Sequence, residues 1–321
     1  MILGVIAALL VWPALVWPIS VRAEELFDPD IRAAMLERRD GVIAHVETVY
    51  NDIFVVKVRN ILHMTFHWKG YYFQESQLNL ADPDDLPLPY ARAATIAAIY
   101  PPDIKRALII GLGGGGLSTY LGRFLPDAVI DTVELDPGVI DVAKKYFGLR
   151  ETRKSRFIES DGRVYLNRHS EAYDLVVIDA FSGSYIPFHL MTKEFYGLVR
   201  DRLAPHGVAA FNVIPGTKLY DSNVRTLKTA FDRVDLYHAG VYNSGEDSVI
   251  VMAPRDGVPD AEALKQKAAA VQERYKFHFN VAKLAAELQV ELPKRLTGDL
   301  LTDDFAPVNL YDAYGRRYRK M

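Results

Sequence analysis

Residues 106–136 read RALIIGLGGGGLSTYLGRFLPDAVIDTVELD, and the fold follows from this stretch. Ala107 to Ile110 is a short apolar run of the kind a buried parallel strand needs. Gly111, Gly113, Gly114, Gly115 and Gly116 then allow a tight turn and let a ligand approach the backbone with no Cβ in the way. A helix follows, and a second apolar run, Val129 to Val133, ends at Glu134, with Asp136 two residues on. A carboxylate roughly 20 residues past the glycines can accept both hydroxyls of a ribose. Strand, glycine turn, helix, strand and acid make half of a nucleotide-binding unit.

Downstream, the alternation continues. A helix over 137–147 leads to a strand near 156–159 that stops at Asp161-Gly162, and a strand over 173–178 ends at Asp179. A helix over 192–203 feeds a strand over 207–212, and a helix around 224–231 precedes strands near 234–238 and 248–252. The last two strands pair as a hairpin at the sheet edge. Residues 106–321 are thus predicted to form an α/β domain with a doubly wound, mostly parallel sheet, an antiparallel last strand and C-terminal helices over 261–275 and 281–288. Upstream, residues 40–80 alternate in four short runs separated by Asn51-Asp52, Asn60 and Lys69-Gly70, which predicts a small antiparallel β-subdomain. Residues 81–105 are a Pro/Asp-rich linker and a helix over 90–100 stopped by Pro101-Pro102.

A chain of 321 residues holds one large or two modest domains. Its net charge of −3 and pI near 6.3 give no general attraction to nucleic acid. The absence of cysteine excludes disulfides, thiolate metal sites and cysteine nucleophiles. His63 and His67 are four apart on a predicted strand, too far for one ion, and no metal is expected. Within residues 1–23, Met1 to Val21 is apolar throughout, with Trp12 and Trp17 and no Lys or Arg before Arg22. They are expected to anchor the chain in the inner membrane, Arg22, Arg32, Arg38 and Arg39 keeping the folded part in the cytoplasm. The alternative is a signal peptide ending at Ala23 and a secreted or periplasmic protein.

In an open α/β sheet, ligands bind beyond the carboxyl ends of the strands. Four such ends carry the glycine turn, Glu134, Asp161 and Asp179: glycines beside the ribose, Glu134 on the ribose, Asp161 on an adenine amino group, and Asp179 next to the reacting centre. Helix capping is the plainer role for Asp161 and Asp179. Gly111, Gly113 and Gly116 also fit GxGxxG, which keeps a dinucleotide open, but carboxylates disfavour a pyrophosphate and favour a sulfonium cation. Gln74 and Tyr90 are candidates to line the pocket from the β-subdomain side, with simple packing as the alternative. His189 is a candidate substrate contact, or else part of a polar loop network.

GLGGGG, VELDPGVIDVAKKYF, ESDGR, YDLVVIDAFSG, LMTKEFY and LTDDFAPVNLY together resemble the spermidine synthase (polyamine aminopropyltransferase) family, closest to its membrane-associated bacterial branch. The resemblance covers about Val42 to Tyr311. It implies a Rossmann-like S-adenosylmethionine-dependent methyltransferase fold behind a small N-terminal β-subdomain. The implied cosubstrate is decarboxylated S-adenosylmethionine, whose aminopropyl group passes to an amine acceptor with release of methylthioadenosine. By that likeness Gly111, Gly113, Gly114, Gly115, Glu134, Asp136, Asp161 and Gly162 bind the nucleoside, the Asp161-Gly162 pair on the adenine, and Asp179 is the acid/base aspartate. A homodimer is expected.

The chain also departs from the family pattern. Gly114 stands where a loop acid is usual, Ala180, Phe181, Ser182 and Gly183 replace Ser-Ser-Asp-Pro, and Leu86 and Pro87 precede Tyr90 in place of an Asp-Glu pair. Fewer carboxylates attract a dicationic acceptor less and no longer repel the carboxylate of intact S-adenosylmethionine. Phe181 and Tyr185 suggest a more apolar acceptor wall. A methyltransferase using S-adenosylmethionine, and a non-catalytic nucleoside-binding or membrane-scaffold protein, remain alternatives.

Overall fold

The structure is a computed structural model that describes residues 26–181, 185–217, 219–241, 247–256 and 260–305. It opens with a helix that the sequence reading passed over, α1 (Pro29–Glu37). Asp28 caps it by accepting from the Asp30 and Ile31 amides, and Pro29 takes a first-turn position where no amide donor is needed.

Four antiparallel strands follow in sequence order: β1 (Gly41–Glu47), β2 (Asp52–Val58), β3 (Ile61–Trp68) and β4 (Tyr71–Asn79). Ile53, Val55, Leu62, Met64, Phe66 and Phe73 alternate with half-exposed neighbours, so one face of the sheet is dry. The register slips opposite β3: Met64 faces Ser76, yet Thr65 faces Gln74. Glu75 is therefore the extra residue of a β-bulge. Helix α2 (Pro89–Ala94) and a 3-10 turn (Thr95–Ile99) close the linker.

The main sheet holds β5 (Arg106–Ile110), β6 (Val129–Glu134), β7 (Ser155–Glu159), β8 (Tyr173–Ile178), β9 (Leu203–Val213), β10 (Asp235–Val241), β11 (Asp247–Pro254) and β12 (Gln289–Val290). Its spatial order is β12-β10-β11-β9-β8-β5-β6-β7. The five strands β9, β8, β5, β6 and β7 run parallel, and β11, β10 and β12 are antiparallel, so the expected closing hairpin is present with β12 added at its outer side. Helices α3 (Gly116–Phe124), α4 (Pro137–Tyr146), α5 (Gly162–Arg168), α6 (Lys193–Asp201) and α7 (Tyr220–Ala230) make the crossovers, and α8 (Ala261–Tyr275) and α9 (Val281–Leu288) pack beside α2.

Two hydrophobic clusters cover the faces of the main sheet, one around Ile109, Leu121, Val177 and Ile250, the other around Leu108, Val176, Phe195 and Val251. Successive residues of one strand point to opposite clusters, which is why β5 and β8 read as unbroken apolar runs. A third cluster joins the N-terminal sheet to the main domain. Ile53, Val55, Leu62, Met64 and Phe66 meet Leu112 of the glycine turn, Val139 and Ala143 of α4, Phe147 and Phe157.

The expected membrane anchor is withdrawn. A helical span needs about 20 apolar residues. Among the described residues no helix is long and apolar enough to cross a membrane: α8 is the longest, with 15 residues, several of them charged. Residues 1–25, on which both the anchor and the cleaved leader were placed, lie outside the described residues, as do residues 306–311 of the LTDDFAPVNLY motif.

Candidate active site

The glycine turn is built by backbone geometry that only glycine takes easily. Gly111 has φ +103°, and a Cβ there would lie 2.2 Å from the Asp179 carbonyl oxygen. The ends of β5 and β8 thus touch backbone to backbone, and the Asp179 amide donates to the Ile110 carbonyl at 2.9 Å. Gly115 shares a left-handed backbone, at φ +78°, and at both Gly114 and Gly115 space is also short. A Cβ at Gly114 would meet the Phe147 ring at 2.6 Å, and one at Gly115 the Leu149 side chain at 2.6 Å, so both pack beneath the turn.

One cavity lies above these strand ends. Gly111, Gly113, Glu134, Asp161, Gly162, Asp179, Gln74, Tyr90, Phe181 and His189 line it, as the sequence suggested. Gly114, Gly115, Asp136 and Tyr185 are not among its lining. Tyr185 instead sets its ring edge to Trp68 of β3, with centroids 6.0 Å apart. Asp136, almost fully buried, caps α4 through the Gly138 amide. It also accepts from the Thr48 hydroxyl (2.6 Å) and the Asn51 carboxamide (2.8 Å), tying the β1–β2 hairpin to the main domain. The tip of that hairpin, Tyr50 and Asn51, reaches the cavity wall.

Glu134 is fixed by two backbone amides, Leu112 at 3.0 Å and Asp136 at 2.9 Å, one on each oxygen. Burial is the larger influence and pushes its carboxyl above the usual range, while the two amides pull it back. One lone pair per oxygen remains for a vicinal diol. Asp161 is the helix cap, and it also lines the cavity. It caps α5 through the Val164 amide at 2.8 Å, and its other oxygen meets His189 Nε2 at 2.8 Å at the cavity wall. The His189 bond chiefly holds the Asp161 carboxyl below its ordinary value. Gln74 reaches the cavity, but its carboxamide is spent inside the sheet on Met64 O, Ser76 O and His63.

Asp179 follows β8, which lies between β9 and β5 in the sheet. Asn212 Nδ2 donates to its Oδ1 at 2.8 Å, and the Tyr90 hydroxyl is a second donor. Burial nevertheless outweighs both and pushes the carboxyl up to about 7. A carboxylate poised near neutrality can take a proton from an amine and return it to water.

Sequence reasoning missed Glu75, Asn212, Asp247 and Ser248 in this wall. Asn212 is the polar residue near the end of the apolar strand GVAAFN, and the strand-end rule applied to acids finds it once polar residues are admitted. Asp247 and Ser248 begin a strand, and only its antiparallel direction brings that beginning to the carboxyl edge. Glu75 reaches the wall beside Gln74 because of the bulge. The cavity therefore carries Glu75, Glu134, Asp161, Asp179 and Asp247, with no Lys or Arg among the described lining residues. Such a lining attracts cations.

This sheet order is that of the Rossmann-like methyltransferase fold, with an acidic cleft at the carboxyl edge where such folds bind their ligands. Residues 93–238 match the spermine/spermidine synthase domain. Over 276 residues the chain is 31% identical to the polyamine aminopropyltransferase of Vibrio vulnificus (strain CMCP6), covering 84% of this chain and 91% of that protein. It belongs to the spermidine synthase, or polyamine aminopropyltransferase, family of enzymes. Among solved structures, the spermidine synthase of Thermotoga maritima superposes with TM-score 0.62 at 21% identity, covering 78% of this chain and 85% of that one. A spermidine synthase in complex with the transition-state analogue AdoDATO gives 0.60 at 21% identity, with the same coverage of 78% and 85%. These likenesses reach the family and no particular branch of it.

Proposed function

We propose that this chain moves the aminopropyl group of decarboxylated S-adenosylmethionine to an amine acceptor, with Asp179 as the base. The observation that carries the reading is the position of Asp179 at the end of β8: in the strand order Glu134 and Asp161 lie to one side of it, at the ends of β6 and β7, and Asn212, Ser248 and Asp247 to the other, on β9 and β11. The acceptor nitrogen attacks the aminopropyl carbon bonded to the sulfonium. The C–N bond forms, the C–S pair stays on sulfur, and neutral methylthioadenosine leaves. The proton lost by the acceptor nitrogen passes to Asp179 Oδ. An amine with an ordinary pKa of roughly 10 enters as an ammonium, so a carboxylate that first holds and then deprotonates it serves both steps. Holding both substrates in line supplies much of the remaining rate.

Glu134 tests the nucleoside half. Glu134→Ala weakens methylthioadenosine binding by about 1–3 kcal/mol, the usual worth of hydrogen bonds to a charged group. Titration calorimetry reads the loss, and an unchanged affinity removes Glu134 from the ribose.

Methyl transfer from intact S-adenosylmethionine is the second reading, favoured by the glycine at 114. Room for an acid there is lacking, since a Cβ would press on Phe147 and sit 3.0 Å from the Ser76 hydroxyl. Against methyl transfer stand Glu75 and Asp247, which bring carboxylates to the wall from other strands. Product analysis separates the two: methylthioadenosine for aminopropyl transfer, S-adenosylhomocysteine for methyl transfer. The proposed partners are an amine acceptor and, in a homodimer, a second copy of the chain.

A further inference from the structure

The Asp179 side chain is the end of a short hydrogen-bonded chain that starts outside the parallel strands. The pairing of Ile178 with Phe211 sets Asp179 beside Asn212, and the pairing of Asn212 with Ile250 makes Ser248 a diagonal neighbour of Asn212 on β11. The Ser248 hydroxyl donates to Asn212 Oδ1, and Asn212 Nδ2 donates to Asp179 Oδ1 at 2.8 Å. Ser248 is 3% exposed and Asn212 7%, so water has little access to replace either bond. Ser248 is itself fixed at its amide, which donates to Asp247 Oδ1 at 2.8 Å.

A carboxamide has two unlike ends, and its partners decide which end faces where. We propose that Ser248 and Asn212 are positioning residues for the base: the Ser248 hydroxyl, by donating to Asn212 Oδ1, turns the NH2 of Asn212 toward Asp179. An NH2 facing Asp179 favours the carboxylate, which can accept a proton. An amide oxygen facing it favours the protonated acid, which cannot. With the hydroxyl gone, Asn212 Oδ1 is a buried acceptor without its donor, and the flipped amide satisfies it by accepting a hydrogen bond from a protonated Asp179.

The other groups around Asp179 are accounted for. Tyr90 from α2 is a second donor and favours the carboxylate. Glu75 from β4, Glu134 from β6, Asp161 ahead of α5 and Asp247 from β11 line the same cavity, and their negative charge favours the proton on Asp179. His189 is engaged with Asp161. Asn212 and Tyr90 are thus the donors that oppose burial at this carboxyl.

The inference rests on Asp179 being the base. Its test is the pH dependence of kcat/KM with 1,4-diaminobutane as the acceptor probe. In Ser248→Ala the midpoint of the rise moves up by about half to one pH unit, the equivalent of one neutral hydrogen bond. Activity near pH 6.5 then falls roughly three- to tenfold while the alkaline plateau is kept. Ser248→Thr, which keeps the hydroxyl, restores the original midpoint, and methylthioadenosine affinity is the same in all three proteins. Asn212→Ala removes the donor outright and moves the midpoint further in the same direction. A midpoint that stays put in Ser248→Ala, or a loss by one factor at every pH, overturns the positioning role. Asp179→Asn separates the two failures. If it stays active, the base lies elsewhere and both ideas fall. If it is inactive while Ser248→Ala keeps the original midpoint, the base stands and the positioning role alone falls.

Discussion

Asp179→Asn lowers kcat/KM for aminopropyl transfer by about 10²–10⁴, the usual contribution of a positioned general base. The substituted amide keeps the shape of the carboxylate and can still meet Asn212 and Tyr90, but it cannot accept the acceptor's proton. Methylthioadenosine affinity is expected to stay close to that of the unaltered enzyme, because in the proposed arrangement Glu134 and Asp161 hold the nucleoside and Asp179 serves the acceptor. The pH dependence carries the same information with a definite sign. Burial raises the Asp179 carboxyl to about 7, so below that pH it is protonated and idle, and kcat/KM falls about tenfold per unit of acidification. Steady-state rates of the two proteins between pH 5.5 and 9 measure both effects. Retention of more than a tenth of the activity by the asparagine variant would assign the base to another group.

Gly111→Ala is expected to be severely damaging for so small a change. Its new Cβ lies 2.2 Å from one backbone atom of Asp179 and 2.8 Å from another, at φ +103°. No side-chain rotation relieves a contact between main chains, so β5 and β8 must part where the ligand sits. A loss of about 3 kcal/mol or more follows, and a fall in Tm on the order of 5–10 °C. The comparison is Gly70→Ala: φ is +83°, but nothing lies within 4 Å of the new Cβ. That variant pays only for the unfavourable φ, about 1 kcal/mol, and keeps its activity. Thermal unfolding of both, followed by circular dichroism, checks the contrast. Equal melting points would mean the β5–β8 contact has room to spare.

The glycine turn and the acidic strand ends were legible because both follow from alternation of short apolar runs with polar stops. What alternation could not supply was the direction of individual side chains. Glu134 and Asp136 are two residues apart, yet Glu134 faces the cavity and Asp136 turns to Thr48 and Asn51. The chain has left the strand between them, so the period-two rule no longer applies. Gln74 lines the cavity as expected, but its amide bonds within the sheet, and the bulge beside it brings Glu75 to the wall. Asn212 and Ser248 depend on which strands lie side by side, and a sequence does not state that. The helix at Pro29–Glu37 has a local signal in Asp28-Pro29, a cap followed by a first-turn proline. An apolar stretch of spanning length permits a membrane helix but does not require one, and the longest helix described is shorter and charged.

The cluster in which Leu112 and Phe147 meet Met64 and Phe66 bears on how the polypeptide can be dissected. Clipping the connection between residues 80 and 89 frees no self-sufficient module, because each fragment would present to water the greasy surface the other now seals. Calorimetry of the intact chain should accordingly record one endotherm, and a protease nick in that connection should leave the two pieces associated until both melt together.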